Sequence, residues 1–204
     1  MRKKILISGG LGKFANQLMI QGSEIFNISA PSRRVMDVKN PRQIYSEIVR
    51  FNPDYFIHAA AMTRPMKNHE IAPMKSMKIN IEGTCNIVEA CYTTGIKLIY
   101  ISTDYVYPGK SGNYSEEDGV LPFTKYAWSK LGGECAVRMY DNSLILRIAM
   151  CDKPFPHPGA MIDVKKSSIF SDEAAKITLQ LLSEFGIINI GGPNQTIYQT
   201  QTAI

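Results

Sequence analysis

The chain has 204 residues, 45% of them hydrophobic and 20% charged, with a formal net charge of +5. That length and balance describe one globular domain able to bury a core, with at most a small appendage. The basic residues are scattered without interleaved aromatics, which argues against a nucleic-acid partner, and no apolar run is long enough to span a membrane.

Taken in chain order, short apolar runs alternate with longer amphipathic ones. "MRKKILISGG" starts with basic residues, but its apolar run is only Ile5-Leu6-Ile7, so it reads as a strand (4–9) and not as a leader. Further strands are expected at 24–29, 54–61, 97–103, 143–149 and 187–192, and helices at 13–21, 40–50, 70–94, 123–140 and 171–185. Pro41 and Pro73 suit first helical turns, Gly95 suits a helix C-terminus, and Ser171-Asp172-Glu173 suits a start. Strands this continuously apolar are covered on both faces. Alternation with helices predicts a doubly wound, mainly parallel α/β sheet of Rossmann type, with a dinucleotide-binding core over 1–149. Residues 150–204 would form a small substrate-side region plus the last strand and helix of the core. The long segments 104–122 and 150–170 leave carboxyl ends of strands, where such sheets bind ligands.

Cys85, Cys91, Cys135 and Cys151 have no CxxC spacing and no histidine cluster beside them, so reduced thiols, a cytoplasmic setting and no metal are expected. Cys85 and Cys91 should fill helix packing positions.

"SGGLGKFANQL" follows the first strand and opens a helix. Gly9, Gly12 and Ala15 fit a G-x-x-G-x-x-A turn in which backbone approaches a pyrophosphate at a helix N-terminus. An ordinary strand–helix turn can look the same, and position is what favours the ligand. Lys13 and Phe14 fall inside this turn. After the second strand come Ser32, Arg33 and Arg34, not an acidic residue. A guanidinium matches a 2′-phosphate, which favours NADP(H) while leaving NAD(H) open. Asp37 and Val38 would border the adenine.

Tyr126 and Lys130 lie four apart on an expected helix and so share a face. A lone pair of this kind means little, but "ISTDYV" ends the strand just upstream. Ketone reduction needs a proton for the nascent alkoxide; Lys130 beside Tyr126 would stabilise its phenolate and ease proton exchange, and Thr103 would orient the carbonyl oxygen.

With "ISGGLGKFANQL", "HAAAMTRP", "NIEGTCNIVEAC", "ISTDYVYPG", "YAWSKLGGE" and "LILRIA" standing in order, the chain resembles an extended short-chain dehydrogenase/reductase, most of all the dTDP-4-dehydrorhamnose reductase group of sugar-nucleotide reductases. The resemblance covers about residues 4–150. It implies an oxidoreductase acting on a nucleotide-linked 4-keto-6-deoxy sugar, with Thr103, Tyr126 and Lys130 catalytic. It further implies Ala59-Ala60-Ala61 as a wall beside the cofactor, Asn80 as the buried asparagine of the long helix on the cofactor side, and Thr63, Arg64, Tyr105 and Met150 on the substrate side. Tyr105 stands where related dehydratases carry Glu, which speaks against dehydration. The region after Met150 is short for the group: the substrate is gripped lightly, or a second chain completes the pocket, or the region is cut short. A homo-oligomer is expected. Two other readings stay open: a non-catalytic dinucleotide-binding subunit, and an epimerase with tightly held NAD.

Arg64 with Lys67 and His69 would meet a substrate pyrophosphate or form a solvated basic loop. His58 reads as a satisfied core histidine, His157 as a loop residue, and Trp128 as a packing residue turned away from Tyr126 and Lys130.

Overall fold

A computed structural model of the chain describes residues 1–152, 159 and 161–202. Its centre is a six-stranded parallel sheet of β1 (Lys4–Ser8), β2 (Asn27–Ser29), β3 (Tyr55–His58), β4 (Lys97–Thr103), β5 (Ser143–Ile148) and, far along the chain, β9 (Gly186–Ile190). The order is β2-β1-β3-β4-β5-β9. The crossover direction reverses between β1 and β3, and a crevice therefore opens there at the strand ends. Side chains alternate across the sheet. Ile5 and Ile7 of β1 join a core with Leu18 of α1 (Lys13–Gly22) and Ala174 of α7 (Ser171–Gln180). Leu6 faces the opposite core, with Ile44 of α2 (Pro41–Phe51), Ile87 of α5 (Gly83–Thr94) and Val137 of α6 (Lys125–Val137). All seven residues of β4 and all six of β5 are buried. Each fully buried Leu or Ile there contributes roughly 1.5–3 kcal/mol.

Local signals fix the helix ends. The Asn40 side chain accepts from Gln43 N and Pro41 opens α2, while the Thr124 side chain accepts from Ala127 N, so α6 starts at Lys125 and not at 123. Gly95 ends α5 with a φ of 71°.

Several expectations are corrected. The single helix over 70–94 is four pieces: α3 (Lys67–Ile71), α4 (Pro73–Ser76), a π-helical turn (Met77–Glu82) and α5. Pro73 cannot continue a helix from α3, and Ala72 before it takes φ −131°, ψ 62°. The second strand loses 24–26, because Ile25 N and Phe26 N both donate to Gly22 O in a turn. The third stops at His58 and leaves Ala59–Ala61 in the loop beyond it, and the helix expected over 171–185 ends at Gln180. The segment after Ile148 holds β6 (Met150–Cys151), β7 (Lys165–Lys166) and β8 (Ile169–Phe170). Beyond β9 come β10 (Gln195–Thr196) and α8 (Ile197–Thr202). β6 pairs parallel with β8, and β7 antiparallel with β10. These strands are too short to show a period in the sequence. His157 lies outside the described residues.

Cys85 and Cys135 are exposed, Cys91 and Cys151 buried, and all four are free; Cys91 thus packs as expected and Cys85 does not. Trp128, expected to pack, is 51% exposed. Among the described residues no helix is long and apolar enough to cross a membrane, and no group of three His, Cys, Asp or Glu side chains could hold a metal ion.

Candidate active site

The turn after β1 is built by close approach. Gly9 has a φ of +79°, and a Cβ there would sit 2.9 Å from the Ala60 backbone. A Cβ on Gly10, which the motif reading passed over, would run into the Ala30 carbonyl. Gly12 N donates to Gly9 O at 2.7 Å, and Gly12 then caps α1 with extended backbone and no side-chain partner. The first N–H groups of α1 are thereby left for an anion.

Two adjoining clefts meet at this turn. One, of about 380 Å³, has Gly9, Gly12 and Ala59–Ala61 on one side and Arg33, Asp37 and Val38 on the other. Arg33 Nε donates to Asp37 at 3.2 Å, and the Asp37 carboxyl titrates below its ordinary range because, although burial is the largest influence and acts upward, hydrogen bonds from Lys39 N and Arg33 outweigh it. Arg34 is not on this wall; its carbonyl accepts from Gln43 Nε2.

The other cleft, of about 450 Å³, runs from Lys13, Phe14 and Ala15 across to Thr103, Tyr126 and Lys130. Thr63, Arg64, Tyr105 and Met150 line its far side. Thr103 is the last residue of β4, and Tyr126 and Lys130 project from the first turns of α6. All three are at most 9% exposed. Tyr126 is held between two rings, His69 at 5.1 Å and Tyr105 at 6.3 Å between centroids, both edge-on. Burial pushes its phenol up to about 12, with the Thr103 hydroxyl pulling the other way. Burial likewise pushes Lys130 down to about 7 against the pull of Glu134. Its Nζ lies 4.0 Å from the centre of the Tyr100 ring. Desolvation is the largest influence on both groups and favours the neutral form of each, so the Tyr126 phenol sits above and not below its ordinary range.

Asn80 lies behind the wall. It is 1% exposed; its Oδ1 accepts from Met62 N, and its Nδ2 donates to Met62 O and Ser129 Oγ. It braces the loop that carries Thr63 and Arg64 and faces neither cleft. His58 is a core residue as expected. Thr84 spends its proton on Asn80 O, so His58 Nε2 donates to Thr84 and Nδ1 accepts from Ser8, whose oxygen also accepts from Ala60 N. Burial pushes His58 down to about 3. His69, expected on a basic loop, is instead buried, and Arg64 pairs with Asp152 at 3.2 Å.

Sequence reasoning missed four participants. Asp152 accepts from both Lys13 (3.0 Å) and Arg64, across the mouth of the cleft. Lys166 pairs with Asp104 at 3.0 Å and lies over the Tyr105 ring. Glu134 and Arg147 form a buried ion pair at 2.8 Å that also engages Ser102 and Tyr107. Glu134 repeats the Tyr126-Lys130 spacing one turn further on, a signal the sequence did carry; Asp152 and Lys166 are brought in only by the tertiary fold. Past Tyr105 and Lys166 a third cavity, of about 630 Å³, opens beside the stacked Tyr107 and Tyr114 rings.

A family model described as RmlD substrate binding domain matches residues 2–151. A dTDP-4-dehydrorhamnose reductase of Aggregatibacter actinomycetemcomitans is 30% identical over 149 residues, 71% of this chain and 50% of that protein. Methionine adenosyltransferase 2 subunit beta of Bos taurus is 33% identical over 128 residues, 60% of this chain and 37% of that protein. The chain thus spans about half the length, or less, of the curated relatives it matches. The crystal structure of a dTDP-4-dehydrorhamnose reductase from Bacillus anthracis, in complex with NADP, superposes with a TM-score of 0.90 over 100% of this chain and 80% of that one. At 22% identity that likeness speaks for the fold.

Proposed function

The chain belongs to the RmlD substrate-binding-domain family, and from that premise we propose that it is an NADPH-dependent reductase of a nucleotide-linked 4-keto-6-deoxy sugar. The observation that carries the reading is the convergence of Thr103, Tyr126 and Lys130 on a cleft that also receives the Gly9–Gly12 turn. The residues present fit a dinucleotide. The α1 N-terminus and the close Gly9–Ala60 approach suit a pyrophosphate. Arg33 would exchange Asp37 for a 2′-phosphate, Asp37 and Val38 would border the adenine, and Lys130 would hold the ribose hydroxyls. NADPH, when bound, supplies the hydride.

The chain's own residues do the rest. Thr103 donates to the keto oxygen and orients it. Tyr126, with its phenol held up at about 12, is fully protonated at neutral pH and ready to give its proton to the alkoxide. Thr63, Arg64, Tyr105 and Met150 would face the sugar. The cavity past Tyr105 gives room for the nucleotide end, with Lys165 and Lys166 on its wall.

A second reading, a non-catalytic dinucleotide-binding subunit, is favoured by the likeness to methionine adenosyltransferase 2 subunit beta. The complete Thr103, Tyr126 and Lys130 set weighs for catalysis. The experiment is an assay of NADPH and NADH oxidation against a panel of nucleotide-linked 4-keto sugars. Turnover with NADPH supports the reductase. Cofactor binding without turnover on any sugar supports the subunit, and copurified NAD that does not exchange points to an epimerase.

A further inference from the structure

We propose that His69 is a positioning residue that locks the Tyr126 phenol and the substrate-side loop into one register, its ring bearing on Tyr126 and its Nε2 on the Thr63 carbonyl; this rests on the reductase reading above. His69 lines neither cleft, so it acts through other residues. It lies on α3 between exposed neighbours yet is itself 1% exposed. A buried imidazole needs partners. Here Nε2 donates to Thr63 O at 2.7 Å, and Nδ1 shares a hydrogen bond with Ser76 Oγ. An apolar side chain of the same volume would fill the space without either bond. The ring edge rests against Tyr126 at 5.1 Å and 65°.

The surroundings make His69 a joint between the loop that presents Thr63 and Arg64 and the helix that presents Tyr126. Residue 62 is gripped by Asn80 at both its N–H and its carbonyl, and residue 63 by His69. Asn80 also donates to Ser129, whose hydroxyl donates to the Tyr126 carbonyl. The loop presenting Thr63 and Arg64 and the helix presenting Tyr126 are therefore tied at two points, one through the side chains of Asn80 and Ser129 to the Tyr126 carbonyl and one at the Tyr126 ring (His69). Losing the second leaves the fold braced but frees the phenol to tilt. A displacement of about 1 Å at a reacting group can cost on the order of 10²-fold in rate.

Two variants separate the ring from the hydrogen bonds. His69→Gln keeps an amide able to donate to Thr63 and loses the ring; His69→Phe keeps a ring against Tyr126 and loses both bonds. In steady-state kinetics on the accepted keto sugar, His69→Gln should lower kcat about tenfold with KM little changed, and His69→Phe should raise KM about tenfold with kcat little changed. Both should bind NADPH as the wild type does. The proposal is overturned if both variants move the same constant together, or if they lower only the melting temperature. A wild type that reduces none of the sugars counts against the reductase reading and not against His69. The placement is then decided in the cofactor-free protein by following the Tyr126 titration in 13Cζ-tyrosine-labelled samples, assigned with Tyr126→Phe. His69→Gln should bring the midpoint down toward the ordinary tyrosine range as the covering ring is lost, and His69→Phe should leave it in place. Identical midpoints in all three proteins would overturn the assignment.

Discussion

Tyr126 and Lys130 share one face of α6, and burial acts on them in opposite directions of charge: it keeps the phenol protonated and the amine half-neutral near pH 7. Lys130 makes this measurable in the cofactor-free protein. Its folded value is about 7 and its unfolded value 10.5. Between those values the unfolded chain holds a proton that the folded chain has released, so raising the pH favours the folded state. We expect the stability of the wild type, measured by urea unfolding, to rise relative to Lys130→Met from pH 7 to about 9.5; parallel profiles would mean that the ammonium is solvated. Arg33 supplies a second test at this scale. Only Arg33, and not Arg34, faces the smaller cleft. Arg33→Ala should cost NADPH about 1.5–3 kcal/mol of binding, the worth of a charge-assisted contact, and leave NADH nearly unchanged. Equal losses for both cofactors would remove Arg33 from the 2′-phosphate. That the Gly9–Gly12 turn, Thr103, Tyr126 and Lys130 would come to one cleft was legible because each is set by local spacing on a strand end or a helix face. Asp152, Lys166 and the burial of His69 were not, since tertiary packing alone brings them to the cleft.

Helix α6 carries the site and is itself anchored from below. Glu134, two turns past Tyr126, meets Arg147 of β5 in a bidentate pair, accepts from Ser102 of β4, and leaves Arg147 Nη1 to reach Tyr107 and Glu116 O in the 104–122 segment. With side-chain exposures of 1% and 3% the pair is dry. Breaking one partner leaves an uncompensated buried charge. Arg147→Met should therefore lower unfolding free energy by about 3–5 kcal/mol in denaturant titration. A loss below about 1 kcal/mol, the level of a surface pair, would mean that the pair is not dry. At this scale the sequence was readable wherever a strand or helix had its own period and cap: β4, 97–103, matches to the residue. It was misleading over 70–94, where one amphipathic stretch hid the break at Pro73 and the π-helical turn that aims Asn80 at Met62. The two-residue strands after Ile148 carry no period to read.

At the scale of the whole molecule, the Gly9–Gly12 turn, Thr103, Tyr126 and Lys130 meet beyond the carboxyl ends of one sheet, while Arg34 and Asn80 stay off the clefts, and the chain order of strands puts the crevice between β1 and β3. The surface of α5 and α6 exposes large apolar side chains: Tyr92 of α5, Trp128 of α6 and Met139 just past α6 are 70%, 51% and 83% exposed, and Cys85 and Cys135 are exposed on the same two helices. We propose this face as the contact in a homodimer formed by isologous pairing. Sedimentation should show dimers at micromolar protein and monomers for Trp128→Glu; a wild type that stays monomeric at high micromolar concentration would refute the pairing.

On the reductase reading, Tyr126 protonates the reduced substrate in a cleft shared with NADPH. The decisive measurement is the single-turnover rate of NADPH oxidation by Tyr126→Phe with an accepted 4-keto sugar nucleotide, alongside NADPH affinity. The substitution removes one oxygen and keeps the ring between His69 and Tyr105. We predict unchanged NADPH affinity and a rate lower by about 10²–10⁴-fold, the usual contribution of a general acid. A Tyr126→Phe protein that reduces the sugar at the wild-type rate would contradict the claim.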